Sequence, residues 1–133
     1  MTLAYWTVLI AAVLPIVCAG IAKSGRFGVP RREGGYDNHD PRSWLASQDG
    51  FRKRADNAQA NSFEALPFFI GAVIIAHQLG VPQGVLNALA VSWIVLRVAY
   101  IALYVTDRPG PRSMVWTLAF AVNVAILAAG AWR

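Results

Sequence analysis

Four apolar blocks constrain the fold of this chain more than any other feature. Each is about 18 to 21 residues long, and a helix needs roughly 20 apolar residues to cross about 30 Å of hydrocarbon. Because 56% of the 133 residues are apolar and only 14% are charged, an ordinary soluble domain is excluded. The blocks run from Leu3 to Ala22, from Ser62 to Leu79, from Val85 to Val105 and from Ser113 to Trp132.

The sequence therefore predicts an all-α membrane protein, a bundle of four transmembrane helices in an up-down-up-down arrangement. We expect a single domain over residues 1–133, with helices at about 3–22, 52–79, 85–106 and 112–132. The polar connection 23–51 is rich in glycine and proline and is too polar to span a membrane. The first block lacks a basic residue ahead of its apolar run, which favours a retained helix over a cleaved export signal.

The net charge of +5 is distributed unevenly along the chain. Arg108 and Arg112 lie between the third and fourth blocks, whereas the connection from His77 to Val85 has no Lys or Arg. By the positive-inside rule both basic connections are cytoplasmic and both termini lie outside. Topology explains the charge, so no nucleic-acid partner is expected. Eight of the twelve basic residues lie between the first and second blocks: Lys23, Arg26, Arg31, Arg32, Arg42, Arg52, Lys53 and Arg54.

Polar side chains form a stripe at the start of the second helix. Arg54, Asn57, Asn61 and Glu64 are spaced by 3, 4 and 3 residues, which places them on one helix face. An ionisable group at the bilayer centre costs roughly 2.5 kcal/mol or more, so Glu64 should face the protein interior or a hydrated cavity. This stripe is a candidate functional site.

The third helix carries Arg97, Tyr100 and Tyr104 on one face. Arg97 lies at a depth comparable with that of Glu64, so an ion pair between them is the least costly way to accommodate both charges. Such a pair clamps the second and third helices whether or not it also binds a ligand. Four helices alone bury too little polar surface to enclose a hydrated cavity, which favours oligomerisation.

The fourth helix is expected to open with Arg112 and Ser113, followed one turn later by Trp116. Free backbone amides and the helix dipole favour an anion at such a terminus. An arginine, a hydroxyl and a phenol near one point can lower a thiol pKa from about 8.5 into the neutral range. The lone Cys18 lies within the first block, so the thiol would belong to a cofactor. The alternative is that Ser113 only caps the helix and that Arg112 binds lipid phosphate.

The segment from Arg54 to Phe68, RADNAQANSFEALPF, resembles the RAxxAxxNxxExxP signature of the MAPEG family, the membrane-associated proteins of eicosanoid and glutathione metabolism. The resemblance continues through Arg97-Val98-Ala99-Tyr100, Tyr104 and Pro111-Arg112-Ser113, and with the four spans it covers nearly the whole chain. This chain has Ala60 where well-studied animal members carry Arg, and Trp116 where several members carry Tyr.

The resemblance implies a homotrimer with a glutathione site at each subunit interface, open toward the cytoplasm. Asn61 and Glu64 would hold the peptide's polar backbone, and Lys23 would contact a carboxylate. Arg112 and Ser113 would stabilise the thiolate, with Tyr100 as a further catalytic candidate. The resemblance implies these cofactor-binding residues: Lys23, Arg54, Asn57, Asn61, Glu64, Arg97, Tyr100, Tyr104, Arg112, Ser113 and Trp116.

The expected function is that of a bacterial inner-membrane glutathione transferase or peroxidase. Its substrate would be a small apolar electrophile or a lipid hydroperoxide that arrives from the bilayer along the first and fourth helices. Two other hypotheses stay open: a non-catalytic trimer that binds lipid or a partner in the same grooves, and an accessory subunit of a larger membrane complex.

The polar connection also resembles that of bacterial members of the family. Its segments Tyr36-Asp37-Asn38 and Pro41-Arg42 form either a loop latch or a solvated turn. No metal site is expected, because His39 and His77 lack partner ligands at metal spacing.

Overall fold

The computed structural model describes residues 1–132. All regular secondary structure in that range is helical, and the range contains no strand. Four of the helices are long and apolar enough to cross a membrane: α1, α3, α4, and α5 with its 3₁₀ extension. This confirms the predicted all-α fold with four membrane-spanning helices. The helices are α1 (Leu3–Lys23), α2 (Pro41–Ala46), α3 (Gly50–Gln78), α4 (Gln83–Val105) and α5 (Pro109–Ala128), with 3₁₀ turns at Arg31–Glu33 and Ala129–Trp132.

A stacked pair of aromatic rings lies at the centre of the bundle. The rings of Phe69 on α3 and Trp93 on α4 are parallel within 5°, with centroids 3.9 Å apart. Small residues belong to the same buried cluster, among them Ala11 of α1 and Ala72 of α3, and they allow the helix backbones to approach closely. The main core joins all four long helices, since Ala119 and Ile126 of α5 belong to the same cluster.

The connection between α1 and α3 is ordered, and it defines what we call the loop end of the bundle, the end at which residues 24–49 lie. Trp44 and Leu45 of α2 are buried against Ala22 of α1 and Ala55 of α3. The ring of Tyr36 meets that of Trp44 edge to face, with centroids 5.2 Å apart. Apolar packing therefore holds this connection against the ends of two long helices.

The short helix α2 is an element that the sequence patterns above do not predict. The Asp40 carboxylate accepts a hydrogen bond from the Ser43 backbone N–H at 3.3 Å, and Pro41 occupies the first helical position. Both are ordinary helix-start signals. Because the helix has only six residues, no apolar periodicity accompanies these signals.

Two polar contacts around Asp37 precede α2. The Asp37 carboxylate accepts a hydrogen bond from the His39 backbone N–H at 3.0 Å and lies 3.3 Å from an Arg31 guanidinium nitrogen. The backbone hydrogen bond, helped by Arg31, lowers the pKa of the Asp37 carboxyl below its ordinary value. The segment predicted to be a latch or a turn is thus held by local polar contacts and by the Tyr36 ring.

Two arginines at the start of α3 bind the ends of other helices. Arg52 donates from Nη1 to the carbonyls of Ala22 and Ser24, at 2.9 and 2.6 Å. Arg54 donates from Nε to the carbonyl of Val105 at 3.1 Å. Since the last carbonyls of a helix lack intrahelical partners, these contacts satisfy the ends of α1 and α4.

The turn between α3 and α4 follows a common helix-ending pattern. Gly80 has a left-handed backbone, with φ of 75°, and its N–H donates to the carbonyl of His77. The Val81 N–H donates to the carbonyl of Ala76, and the Val81 side chain is buried. These paired bonds define a Schellman motif, in which glycine avoids the steric cost of the left-handed conformation.

The end of α4 repeats this motif with a residue less suited to it, and this leads to a stability prediction. Asp107 adopts φ of 60° where the first motif has Gly80. We expect Asp107→Gly to stabilise the fold by about 1 kcal/mol and Gly80→Ala to destabilise it by a similar amount, because only glycine adopts this region freely. Thermal unfolding in detergent measures both changes. A lower melting temperature for Asp107→Gly would contradict the prediction.

Candidate functional site

The loop-end halves of α3, α4 and α5 line an open cavity of about 250 Å³, which we call the outer cavity. Six of the eleven cofactor-binding residues expected from sequence meet here, from three different helices. The outer cavity is lined by Asn61, Tyr100, Tyr104, Arg112, Ser113, Trp116 and Thr117.

The side chains of the outer cavity reach it through helix periodicity and a short connection. Tyr100 and Tyr104 lie one turn apart on α4, as Arg112 and Trp116 do on α5. Only residues 106–108 separate these helices, so the start of α5 lies beside the end of α4. The Arg112 guanidinium sits 4.3 Å from the centroid of the Tyr104 ring, a cation–π contact that positions its charge at the cavity.

Arg97 is buried between α3 and α4, with 2% of its surface exposed. Its Nη2 donates to Asn61 Oδ1 at 2.8 Å, and its guanidinium lies 4.3 Å from the centroid of the Tyr100 ring. The predicted ion pair between Arg97 and Glu64 is wrong, because Glu64 forms no ion pair within residues 1–132. Glu64 is exposed on α3, so the amide one turn earlier takes the guanidinium instead.

A second cavity of about 150 Å³, the inner cavity, adjoins the outer one and shares Asn61 and Trp116 with it. It extends toward the middle of the bundle between α3, α4 and α5. Glu64 and Arg97 line this cavity, so eight of the eleven expected residues line one cavity or the other. Its lining consists of Asn61, Glu64, Ala65, Phe68, Trp93, Arg97, Trp116, Ala119, Phe120 and Asn123.

Three expected residues lie apart from both cavities within one subunit. The Lys23 ammonium lies over the Tyr36 ring, 4.7 Å from its centroid. Arg54 binds the end of α4. Asn57 is exposed on α3 and lines a separate groove beside α2.

The structure adds two polar residues that the sequence reasoning missed, Thr117 in the lining of the outer cavity and Asn123 in that of the inner cavity. Asn123 of α5 is 3% exposed, and its Oδ1 is buried without a hydrogen-bond partner among residues 1–132. It follows Arg112 by eleven residues, or about three helical turns, and so lies on the same face of α5. The sequence signal that could have identified Asn123 is a lone amide within an apolar run, eleven residues after Arg112.

The start of α5 also corrects the expected source of anion stabilisation. The helix begins at Pro109, three residues earlier than expected, and Pro109 and Pro111 have no N–H to offer. The Arg112 N–H already donates to the Arg108 carbonyl at 3.0 Å. Free amides therefore contribute little here, and the Arg112 guanidinium and the Ser113 hydroxyl are the groups suited to an anion.

Comparison with known proteins gives one match. The family model described as MAPEG family matches residues 3–132, nearly the whole chain. Searches of curated proteins and of solved structures found no match.

Proposed function

The chain belongs to the MAPEG family, which includes glutathione transferases and peroxidases, and from that membership we propose a membrane-bound glutathione transferase or peroxidase. Its substrates would be apolar electrophiles or lipid hydroperoxides. The observation that carries this proposal is the outer cavity, where three helices bring together the arginine, the hydroxyl and the phenols that suit a thiolate.

The charges around the two cavities suit glutathione as the thiol cosubstrate. Glutathione has two carboxylates, one ammonium and one thiol, so it needs more positive than negative partners. Arg97 and Arg112 supply positive charge, and Glu64 supplies the one carboxylate. Asn61 lies between the cavities, where its amide can hydrogen-bond the peptide backbone.

The size of the outer cavity supports a site completed by a second subunit. Ligand pockets usually measure about 300 to 1,000 Å³, and the outer cavity of one subunit is smaller, at about 250 Å³. We therefore propose a homotrimer with the site at each subunit interface. Lys23 and Asn57, which lie outside the cavities of their own subunit, would then contribute to the site of a neighbour.

In the proposed reaction the thiol first loses its proton to solvent. The Arg112 guanidinium and the Ser113 hydroxyl stabilise the thiolate, with the Tyr100 phenol as a further hydrogen-bond donor. In transfer, the sulfur forms a bond to an electrophilic carbon and the leaving group departs with its electron pair. In peroxide reduction, two glutathione molecules become a disulfide while the hydroperoxide becomes an alcohol and water.

The basic loop end supports the membrane orientation that we propose. Its excess of Lys and Arg favours the cytoplasmic face by the positive-inside rule. In a bacterial inner membrane both termini would then be periplasmic, and the outer cavity would open toward the cytoplasm.

A pH titration of the glutathione thiolate tests the proposed function. Purified protein with glutathione should develop the ultraviolet thiolate absorbance at least one pH unit below the ordinary thiol pKa of about 8.5. Arg112→Ala should return the transition to that value, because the charge that stabilises the thiolate is lost.

Arg108→Ala is the matched control, since it removes an exposed arginine of the same connection that does not line either cavity. It should keep the low-pH transition. A wild-type protein that binds glutathione without a shifted transition would rule out thiolate activation at this site.

One feature favours the alternative, a non-catalytic trimer that binds lipid or a partner. Trp116 has no hydroxyl, and it joins Phe68, Trp93 and Phe120 in an aromatic wall suited to an apolar ligand. Lipid binding without a shifted thiolate transition would support this alternative.

A further inference from the structure

We propose that the inner cavity binds a planar ring that carries a hydroxyl group, and that the Asn123 amide anchors this hydroxyl. The anchor is unusual because it lies deep in an apolar helix. Asn123 follows Arg112 by eleven residues, about 16 Å along the axis of α5. The ring would thus bind farther into the bundle than the outer cavity.

The unpartnered oxygen of Asn123 identifies the missing group as a hydrogen-bond donor. An amide oxygen can accept two hydrogen bonds, and Asn123 Oδ1 accepts none from residues 1–132 although it is buried. The other amide oxygen of the cavity, Asn61 Oδ1, already accepts from Arg97. A ligand hydroxyl both donates and accepts, so it matches an amide that needs a partner.

The walls of the inner cavity suit a flat ligand. Trp116 and Phe120 are nearly parallel, at 8° with centroids 5.5 Å apart, and Phe68 meets Phe120 edge to face at 5.7 Å. Aromatic rings pack best against other rings in stacked or edge-to-face geometry. The volume, about 150 Å³, is that of a cavity known to hold one benzene ring.

The inner cavity also gives the second substrate a position. It shares Asn61 and Trp116 with the outer cavity, so a ring anchored at Asn123 would extend toward the proposed thiolate. It lies between α3, α4 and α5. Of the first and fourth helices, along which substrate was expected to arrive from the bilayer, only the fourth, α5, therefore lines it. The role as a substrate subsite rests on the proposed function, whereas ring binding itself does not.

The probes for this proposal are 4-fluorophenol and fluorobenzene, which differ only in the hydroxyl. Fluorine NMR would measure their binding to the purified full chain in lipid nanodiscs, with empty nanodiscs to correct for partition into lipid. The wild type should bind 4-fluorophenol about fivefold more tightly than fluorobenzene, the gain expected from one hydrogen bond to a buried amide. Asn123→Leu, which is similar in volume, should abolish this preference and keep fluorobenzene binding.

Gln78→Leu is the matched control, because it removes an exposed amide at the far end of α3 that lines neither the inner nor the outer cavity. It should leave the fivefold preference unchanged. A second variant, Ala65→Phe, fills the cavity from a half-buried wall position and should weaken both probes.

Three results would overturn the proposal: no saturable binding of either probe, equal affinities in the wild type, or an unchanged preference in Asn123→Leu. No glutathione is present in this experiment, so its outcome is independent of thiolate activation. A shifted thiolate transition without the probe preference would leave the proposed function standing and remove only the ring site.

Discussion

Replacing Asn61 with leucine should lower the free energy of unfolding by about 3 kcal/mol, because it leaves the buried charge of Arg97 without its hydrogen-bond acceptor. The Arg97 guanidinium is almost fully buried, and its hydrogen bond in the structure goes to Asn61 Oδ1 at 2.8 Å. Leucine fills a similar volume but accepts no hydrogen bond. Unfolding by denaturant in detergent micelles, followed by circular dichroism, measures the change.

A double mutant separates the lost hydrogen bond from a general packing defect. Adding Arg97→Met to Asn61→Leu removes the stranded charge and should recover most of the lost stability. Asn57→Leu, one turn earlier on α3 and exposed, should change stability by less than about 0.5 kcal/mol. Strict additivity of the Asn61 and Arg97 substitutions would contradict the coupling.

Phe69→Ala should destabilise the bundle by about 3 kcal/mol, because it leaves a cavity at the centre of the core. Phe69 is fully buried, and its ring stacks on Trp93 with centroids 3.9 Å apart. In a membrane this loss comes mainly from van der Waals contacts that lipid cannot replace. The same denaturant unfolding measurement applies.

Phe63→Ala is the control for this substitution, since Phe63 lies on the same helix and is 51% exposed. It should cost less than about 0.5 kcal/mol. Trp93 also lines the inner cavity, so Phe69→Ala should weaken 4-fluorophenol binding as well. Equal stability losses for Phe63→Ala and Phe69→Ala would mean that the stack is not a central element of the core.

The four long helices were predictable because a membrane span leaves a strong signal, about twenty consecutive apolar residues. Helix α2 left no such signal, since its six residues are too few to show a period. The start of α5 was missed for a different reason. Its first turn contains Pro109, Gly110 and Pro111, which look like a turn in sequence but which helix starts also tolerate.

The candidate site was predictable within each helix and less so between helices. Spacing correctly placed Tyr100 and Tyr104 together, because helix periodicity alone decides which residues share a face. It did not decide whether Asn61 or Glu64 meets Arg97. Those two residues are three positions apart, about 4.5 Å along the helix axis, and the choice between them depends on how α3 and α4 rotate and slide against each other.

Three of the expected site residues do not line the cavities of their own subunit. The family resemblance predicts Lys23, Arg54 and Asn57 to be glutathione-binding residues, yet in one subunit they contact other groups or are exposed. Their role at a neighbouring subunit's site stays a prediction. A structure of the assembled protein with glutathione would test it.

The hydrogen bonds of two arginines fix the start of α3 to the ends of two other helices. Arg52 ties it to the last turn of α1, and Arg54 ties it to the last turn of α4. Farther along the same helix, Asn61 and Glu64 line the inner cavity. Tilting α3 would therefore strain three hydrogen bonds at once. A displacement of residues 24–49 would for the same reason be passed along α3 to the walls of the inner and outer cavities.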